Sequence, residues 1–328
     1  MYNFSFLSPS LQTFSMAERI TWQRHAGVAV DMIDGFSVIE CDPCRFKHLV
    51  PIPTPGELAH AYRHDYYSTE KPLYIERHIE DLEWWNLVYA ERYDLFERLL
   101  PASRRRLLDI GSGPGYFLLH GRERGWTVRG IEPSSQAAAH SRGLGLDIVE
   151  AFFDDRLAPT LDGYDVVHMN EVLEHVPDPR QVLRLASCVL ASGGLISVMV
   201  PNDYNPFQTA LRDACAFEPW WVAPPHHINY FDVDSIQRLL NEEFEVVSVE
   251  TTFPIDLFLL MGDNYVGNDA LGRACHARRK RFEIALARAG KSALKQELYR
   301  SLAKLGVGRD VVVVARKPQF GRSEGTAA

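Results

Sequence analysis

From residue 106 onward the chain alternates between short apolar runs and helical periodicities, and that rhythm constrains the fold more than any other feature. The runs RLLDI, TVRGIE, DIVEAFF, YDVVHMN and GLISVMVP are separated by stretches with apolar residues at three-and-four spacing, such as QVLRLASCVLA behind Asp178 and Pro179. Strand, helix, strand in that order requires right-handed crossovers and a parallel sheet covered on both faces. Two more strand patterns, FEVVSVETT and GRDVVVVARKP, stand near the end with a helical segment of about fifty residues between them. The expected class is α/β.

Where the first of these strands ends, LLDIGSGPGYFLL (107–119) breaks into glycines and resumes as a helix. A dinucleotide-binding turn spaces its glycines G-x-G-x-x-G, so that a pyrophosphate can approach backbone at a helix N-terminus. Here Gly111, Gly113 and Gly115 give G-x-G-x-G, with Asp109 just before them on the strand. An acidic group at that point suits a ligand bearing an ammonium better than one bearing a pyrophosphate. Glu132 follows the second strand, 21 residues beyond Gly111 (132 − 111), placed to accept hydrogen bonds from both hydroxyls of a ribose. An adenosine joined to an amino acid, S-adenosylmethionine, meets both requirements.

At these residues the sequence resembles the class I S-adenosylmethionine-dependent methyltransferases, over roughly residues 75–255 plus the last strand. LLDIGSGPGYF is similar to the family's first motif and GIEPS to its acidic second strand. YDVVHMNEVLEHVPDP is similar to the fourth strand with its following helix, and LASGGLISVMVPN to the fifth-strand motif. The resemblance implies a Rossmann-like, seven-stranded, mostly parallel sheet with helices on both faces. It also implies that Asp109, Gly111 and Gly113 line the methionine end of the donor, with Asn170 beside them, and that Glu132 holds the ribose. Phe152 and Phe153, in AFFD (151–154), fall near the adenine, where many relatives carry a small or acidic pair. Ser112, Tyr116 and Pro133 complete the donor-binding set.

A sulfonium is already an activated methyl donor, so the protein has to align an acceptor and remove a proton. Glu171, Glu174 and His175 directly follow the fourth strand at offsets that one helical turn would stack on one face. They either hold the pocket in shape or act on the acceptor. With His227, from APPHHINYF, they form the set a divalent ion would need to activate a hydroxyl, and small-RNA 3′-end and some ubiquinone-pathway O-methyltransferases look similar here. The preferred reading is metal-free, with His175 or His227 as general base. Trp220 and Trp221, between the fifth strand and His227, serve either core packing or an apolar acceptor. The run Arg278, Arg279, Lys280, Arg281 is either a solvated helix face or a receiver for a phosphate on the acceptor.

The N-terminal part reads differently. GFSVIECDPCRFKHLV gives two short strands around a Cys-Asp-Pro-Cys turn, followed by a Pro-rich link and a helix opened by Thr54 and Pro55. Cys41 and Cys44 with His60 and His64 spell C-x2-C-x15-H-x3-H, within a loose zinc pattern. His48 competes as a ligand, and Pro51, Pro53 and Pro55 interrupt the link. The knuckle also resembles that of sugar and secondary-metabolite methyltransferases, in which a second Cys pair completes a zinc site; this chain has no second pair. Zinc and a metal-free hairpin both stay open. The tyrosines of YRHDYY (62–67) would either cover the donor pocket or pack a helix on the core. The expected division is a hairpin-and-helix unit (1–75), a core (76–254 and 305–318), a helical cap (255–304) and a flexible tail (319–328).

Charge and composition narrow the function. Asp and Glu number 43 against 35 Lys and Arg, for a net charge of −8, which disfavours broad binding to RNA or an anionic membrane. The first fifteen or so residues lack a basic segment followed by an apolar one, and no apolar run nears the roughly 18 residues of a membrane span. Five cysteines, with 188, 215 and 275 isolated, form no disulfide framework. The resulting expectation is a soluble, cytoplasmic methyltransferase acting on O, N or C of a small sugar or natural-product intermediate. The competing readings are an RNA methyltransferase, a nicotinamide-dependent oxidoreductase and a non-catalytic S-adenosylmethionine-binding protein.

Overall fold

The computed structural model describes residues 18–60 and 73–319. Among the described residues, strands β1 (Arg19–Trp22), β2 (His25–Ile33), β3 (Phe36–Cys41) and β4 (Lys47–Val50) come first. Asp34 and Gly35, at φ 51° and 81°, join β2 to β3 in a two-residue loop whose twist matches paired strands. Helix α1 (Pro55–His60) starts at Thr54, whose N–H and hydroxyl both donate to the Glu57 carboxylate at 2.8 and 2.7 Å. Helices α2 (Tyr74–Glu80) and α3 (Leu82–Leu99) lead to the core.

The core continues as β5 (Arg106–Ile110), α4 (Tyr116–Glu123), β6 (Thr127–Ile131), α5 (Ser135–Gly143), β7 (Ile148–Val149) and β8 (Tyr164–Asn170). Then come α6 (Pro179–Val189), β9 (Leu190–Pro201), α7 (Pro206–Cys215), β10 (Asn229–Tyr230), α8 (Val233–Leu240) and β11 (Glu245–Thr251). Helices α9 (Asp256–Leu260), α10 (Asp269–Arg288) and α11 (Ser292–Lys304) precede the last strand, β12 (Asp310–Arg316).

Seven strands form the central sheet in the order β11-β12-β9-β8-β5-β6-β7. β5 to β9 run parallel, and β12 lies antiparallel between β9 and β11. Side chains alternate across the sheet. Leu108, Ile110, Val167 and Met169 pack under α6 and α8, while Leu107, Val166 and Leu195 pack under α3, α4 and α5. β6 lies on one side of β5 and β8 on the other, so the connections leave β5 in opposite directions and open a crevice at the strands' C-terminal ends.

Two expectations change. The N-terminal sheet has five strands rather than two, in the order β1-β2-β3-β4-β10. β1 has four residues and β10 only two, too short for a period-two signal, whereas β2 carries Ala26, Val28, Val30 and Met32 at alternate positions. DIVEAFF forms a strand only over Ile148–Val149, because Ala151, Phe152 and Phe153 leave the ladder to line a cavity.

Helices α10 and α11 are held to α3 by a buried polar network. Trp84 Nε1 and the Tyr299 hydroxyl both donate to Glu283, each at 2.7 Å, and Arg279 lies 3.3 Å from the same carboxylate. Lys295 reaches Glu91 at 2.8 Å. No residue of this segment lines the cavity; it braces the helix that does. Its basic run is engaged as well, with Arg278 on Asp263, Arg279 on Glu283 and Lys280 on Asp81. Among the described residues, no helix is long and apolar enough to cross a membrane.

Candidate functional site

The turn after β5 is made by backbone that only glycine adopts readily. Gly111 and Gly113 sit at φ 73° and 52°, and a Cβ on Gly111 would lie 2.7 Å from Val172 Cγ2. The turn is tied to β6 by Glu132, whose carboxylate accepts the Gly113 and Ser134 N–H groups at 2.8 Å each. A carboxylate has about four acceptor positions, so two are left for a ligand. Burial pushes Glu132 up to about 7, against the pull of those two N–H groups. Asp109, also buried, lies 2.7 Å from His168 Nδ1, and Phe117 stacks on that imidazole at 4.0 Å.

A cavity of 820 Å³ opens over this turn. Asp109, Gly111, Ser112, Gly113 and Tyr116 line it from β5 and α4, as do Glu132 and Pro133 from the end of β6. Phe152, Phe153 and Asn170 line it as well, so the fold brings the whole sequence-derived donor set to one concave surface.

The opposite wall was not anticipated. The His78 ring is stacked between Trp85 and Tyr116, at 4.9 Å from each with interplanar angles of 4° and 11°. The Tyr89 hydroxyl lies 2.7 Å from His78 Nε2, and burial brings His78 down to about 4, so it is neutral at pH 7. Leu58, Tyr74, Val88 and Arg92 also line the cavity here. Trp85 and Tyr89 share one face of α3 at i, i+4, but periodicity alone says only that the face is covered, not that a cavity lies under part of it. Residues 62–67, read as a lid or a packing helix, lie outside the described residues.

Below the cavity, the expected helical turn over Glu171, Glu174 and His175 takes another form. Glu171 is left-handed, at φ 54°, and only Leu173–His175 coil, as a single 3₁₀ turn, so the three side chains do not share a helical face. Glu171 and His175 line the cavity; Glu174 and His227 stand behind it. His175 Nδ1 donates to the His226 carbonyl at 2.8 Å, which puts the neutral ring's lone pair on Nε2. The His175 and His227 rings, 52 residues apart in the chain (227 − 175), meet edge to face at 4.8 Å. Glu174 is fully buried with Oε1 3.8 Å from His175 Nε2, and burial, with Glu171 adding to it, raises its carboxyl well above the usual range.

Trp220 and Trp221 do not line the cavity. Trp221 packs with Val38, Leu49 and Tyr230 where the N-terminal sheet meets the segment after β9, and Trp220 packs against that cluster. Cys41 and Cys44 stand beside His25 and His48, while the His60 side chain and His64 lie outside the described residues.

Residues 84–249 match the family described as a methyltransferase domain. The ubiquinone biosynthesis O-methyltransferase of Aeromonas salmonicida is 37% identical over 108 residues, 31% of this chain and 45% of that protein. The trans-aconitate 2-methyltransferase of Rhodococcus jostii is 34% identical over 132 residues, 39% of this chain and 51% of that protein. The chain thus spans about half the length of the curated relatives it matches. A solved S-adenosylmethionine-dependent methyltransferase from Archaeoglobus fulgidus is 19% identical with a TM-score of 0.46, covering 70% of this chain and 93% of that one. The chain belongs to the methyltransferase-domain family, within the class I S-adenosylmethionine-dependent methyltransferases.

Proposed function

We propose that the protein transfers the methyl group of S-adenosylmethionine to an oxygen, nitrogen or carbon of a small, partly apolar molecule. The observation that carries this reading is the convergence of Asp109, Glu132 and Asn170 on the glycine turn of one cavity, which His175 also lines. When bound, the donor supplies a methyl group on a sulfonium, which needs an aligned nucleophile rather than further activation. In this reading Asp109 receives the donor's ammonium group, with its side chain fixed by His168. Glu132 takes both ribose hydroxyls on its two remaining acceptor positions, and Phe152 and Phe153 flank the adenine.

His175 is the better placed general base of the two histidines, because it lines the cavity and its Nδ1–H is committed to the His226 carbonyl. A proton taken up at Nε2 would then sit near the Glu174 carboxyl. The rings of Trp85, His78 and Tyr89 favour an acceptor with a flat or apolar portion. The names of the Aeromonas and Rhodococcus relatives, which give a ubiquinone-pathway and an aconitate methyltransferase, also favour a small molecule.

Calorimetric titration with S-adenosylmethionine and S-adenosylhomocysteine tests the donor site. Micromolar binding of both is expected, weakened at least about a hundredfold in Glu132→Ala, since two charge-assisted hydrogen bonds of about 1.5 kcal/mol or more each are lost. Equal binding by the variant would remove Glu132 from the site, and no binding by either protein would remove the donor.

A further inference from the structure

We propose that His25, Cys41, Cys44 and His48 form a closed, tetrahedral zinc centre that clasps the N-terminal sheet. One ligand atom from each residue lies within 4.8 Å of the others, and no other set of three or more His, Cys, Asp or Glu among the described residues draws together in this way. His25 Nδ1 is 3.4 Å from Cys44 Sγ and 3.7 Å from Cys41 Sγ. Zinc bonds of about 2.1 Å to nitrogen and 2.3 Å to sulfur place tetrahedral neighbours roughly 3.5 Å apart, so the first imidazole already stands at ligand separation from both thiols.

The second imidazole carries an independent sign. His48 is 1% exposed, and its Nδ1 donates to the Leu49 carbonyl at 2.8 Å. That bond fixes the tautomer and leaves the lone pair on Nε2, which meets no hydrogen-bond partner among the described residues. A backbone carbonyl behind one ring nitrogen is the usual support for a metal-ligating histidine. Two thiols and two imidazoles with no position for water is the donor set of a structural zinc rather than a catalytic one.

Strand pairing assembles this set. His25 opens β2, two residues before Gly27, which pairs with Cys41, and His48 pairs with Ile39 on the other side of β3. The order is therefore H-x15-C-x2-C-x3-H. The knuckle is seated on the core by Arg180, which donates to the Cys44 carbonyl at 2.8 Å, and by Phe46 against Phe231. None of the four ligands lines the donor cavity, so the inference stands or falls apart from the methyltransferase reading.

The test uses the untagged full chain expressed with zinc in the medium, and reads metal per chain by elemental mass spectrometry. One zinc per chain is expected, with at least tenfold less in His25→Gln and in His48→Gln, and full occupancy in His60→Gln and His64→Gln. If a ligand variant fails to fold, cobalt titrated into the chelator-stripped wild type decides. Saturation at one equivalent, with a thiolate charge-transfer band and the intense visible bands of a tetrahedral ion, supports the site. Zinc below a tenth per chain in the wild type, or a Cys41–Cys44 disulfide in its place, overturns the proposal. So does zinc that survives loss of His25 and His48 but not of His60 or His64.

Discussion

The two walls of the cavity are held by different means. On the donor side, Gly111, Gly113 and the Glu132 hydrogen bonds fix backbone at the ends of adjacent parallel strands. On the other side, His78 of α2 stacks with Trp85 and Tyr89 of α3, with Tyr74 tilted against it, in a wall of rings positioned by packing between layers. A wall made of backbone is dictated by a few adjacent residues, and it tolerates little change. A wall made of side chains depends on how α3 is braced, and can be retuned without touching the strand ends.

This contrast predicts where the effect of each substitution lands. The largest belongs to neither wall. His175→Ala should lower kcat by about a hundredfold or more at saturating substrate, the range for loss of a general base, with donor affinity little changed. His227→Ala, behind the cavity, should cost less. Near-normal rates in both variants would remove the histidine base.

Next in size is the pH response of the donor wall. Glu132 sits at about 7, so it is protonated below that pH and ionised above it, and two ribose hydroxyl donors require the ionised form. Donor affinity should therefore rise with pH up to about 7 and level off beyond. At pH 6 only about one carboxyl in ten is ionised, which makes the donor Kd about tenfold weaker than at pH 8. Glu132→Gln should bind weakly with a flat profile. Calorimetry across that range in buffers of differing ionisation heat would detect the proton release, and a flat wild-type profile would contradict the assignment.

The smallest effect tests the aromatic wall. Trp85→Leu should raise KM for an accepted substrate several-fold while moving the donor Kd less than about twofold, because an aromatic stacking contact adds about 1 kcal/mol. If donor affinity changes as much as KM, the two walls are one unit and the contrast fails.

The same division governs what the sequence discloses. The parallel core could be read from alternation, and the glycine turn with Asp109 and Glu132 from spacing along the chain, whereas Asn170, Phe152 and Phe153 entered only through the family resemblance. Of the four proposed zinc ligands, Cys41, Cys44 and the competing His48 were legible in the sequence, but His25 was not. His25 reaches Cys41 through the pairing of β2 with β3, which the Asp34-Gly35 turn sets. The His78 stack depends on which face of α3 the helices α10 and α11 press inward. The reshaped Glu171 turn depends on a single left-handed residue, for which a glutamate gives no warning.

One feature of the N-terminal sheet bears on how the chain is made. β10 is only Asn229–Tyr230, yet it pairs with β4 as the sheet's outer strand. During synthesis β4 emerges early and waits with an unpaired edge until β5 to β9 and α7 have been produced. Strands β1 to β4 are thus closed only after the parallel core strands have been made, and for that interval the β4 edge is available for pairing with other chains.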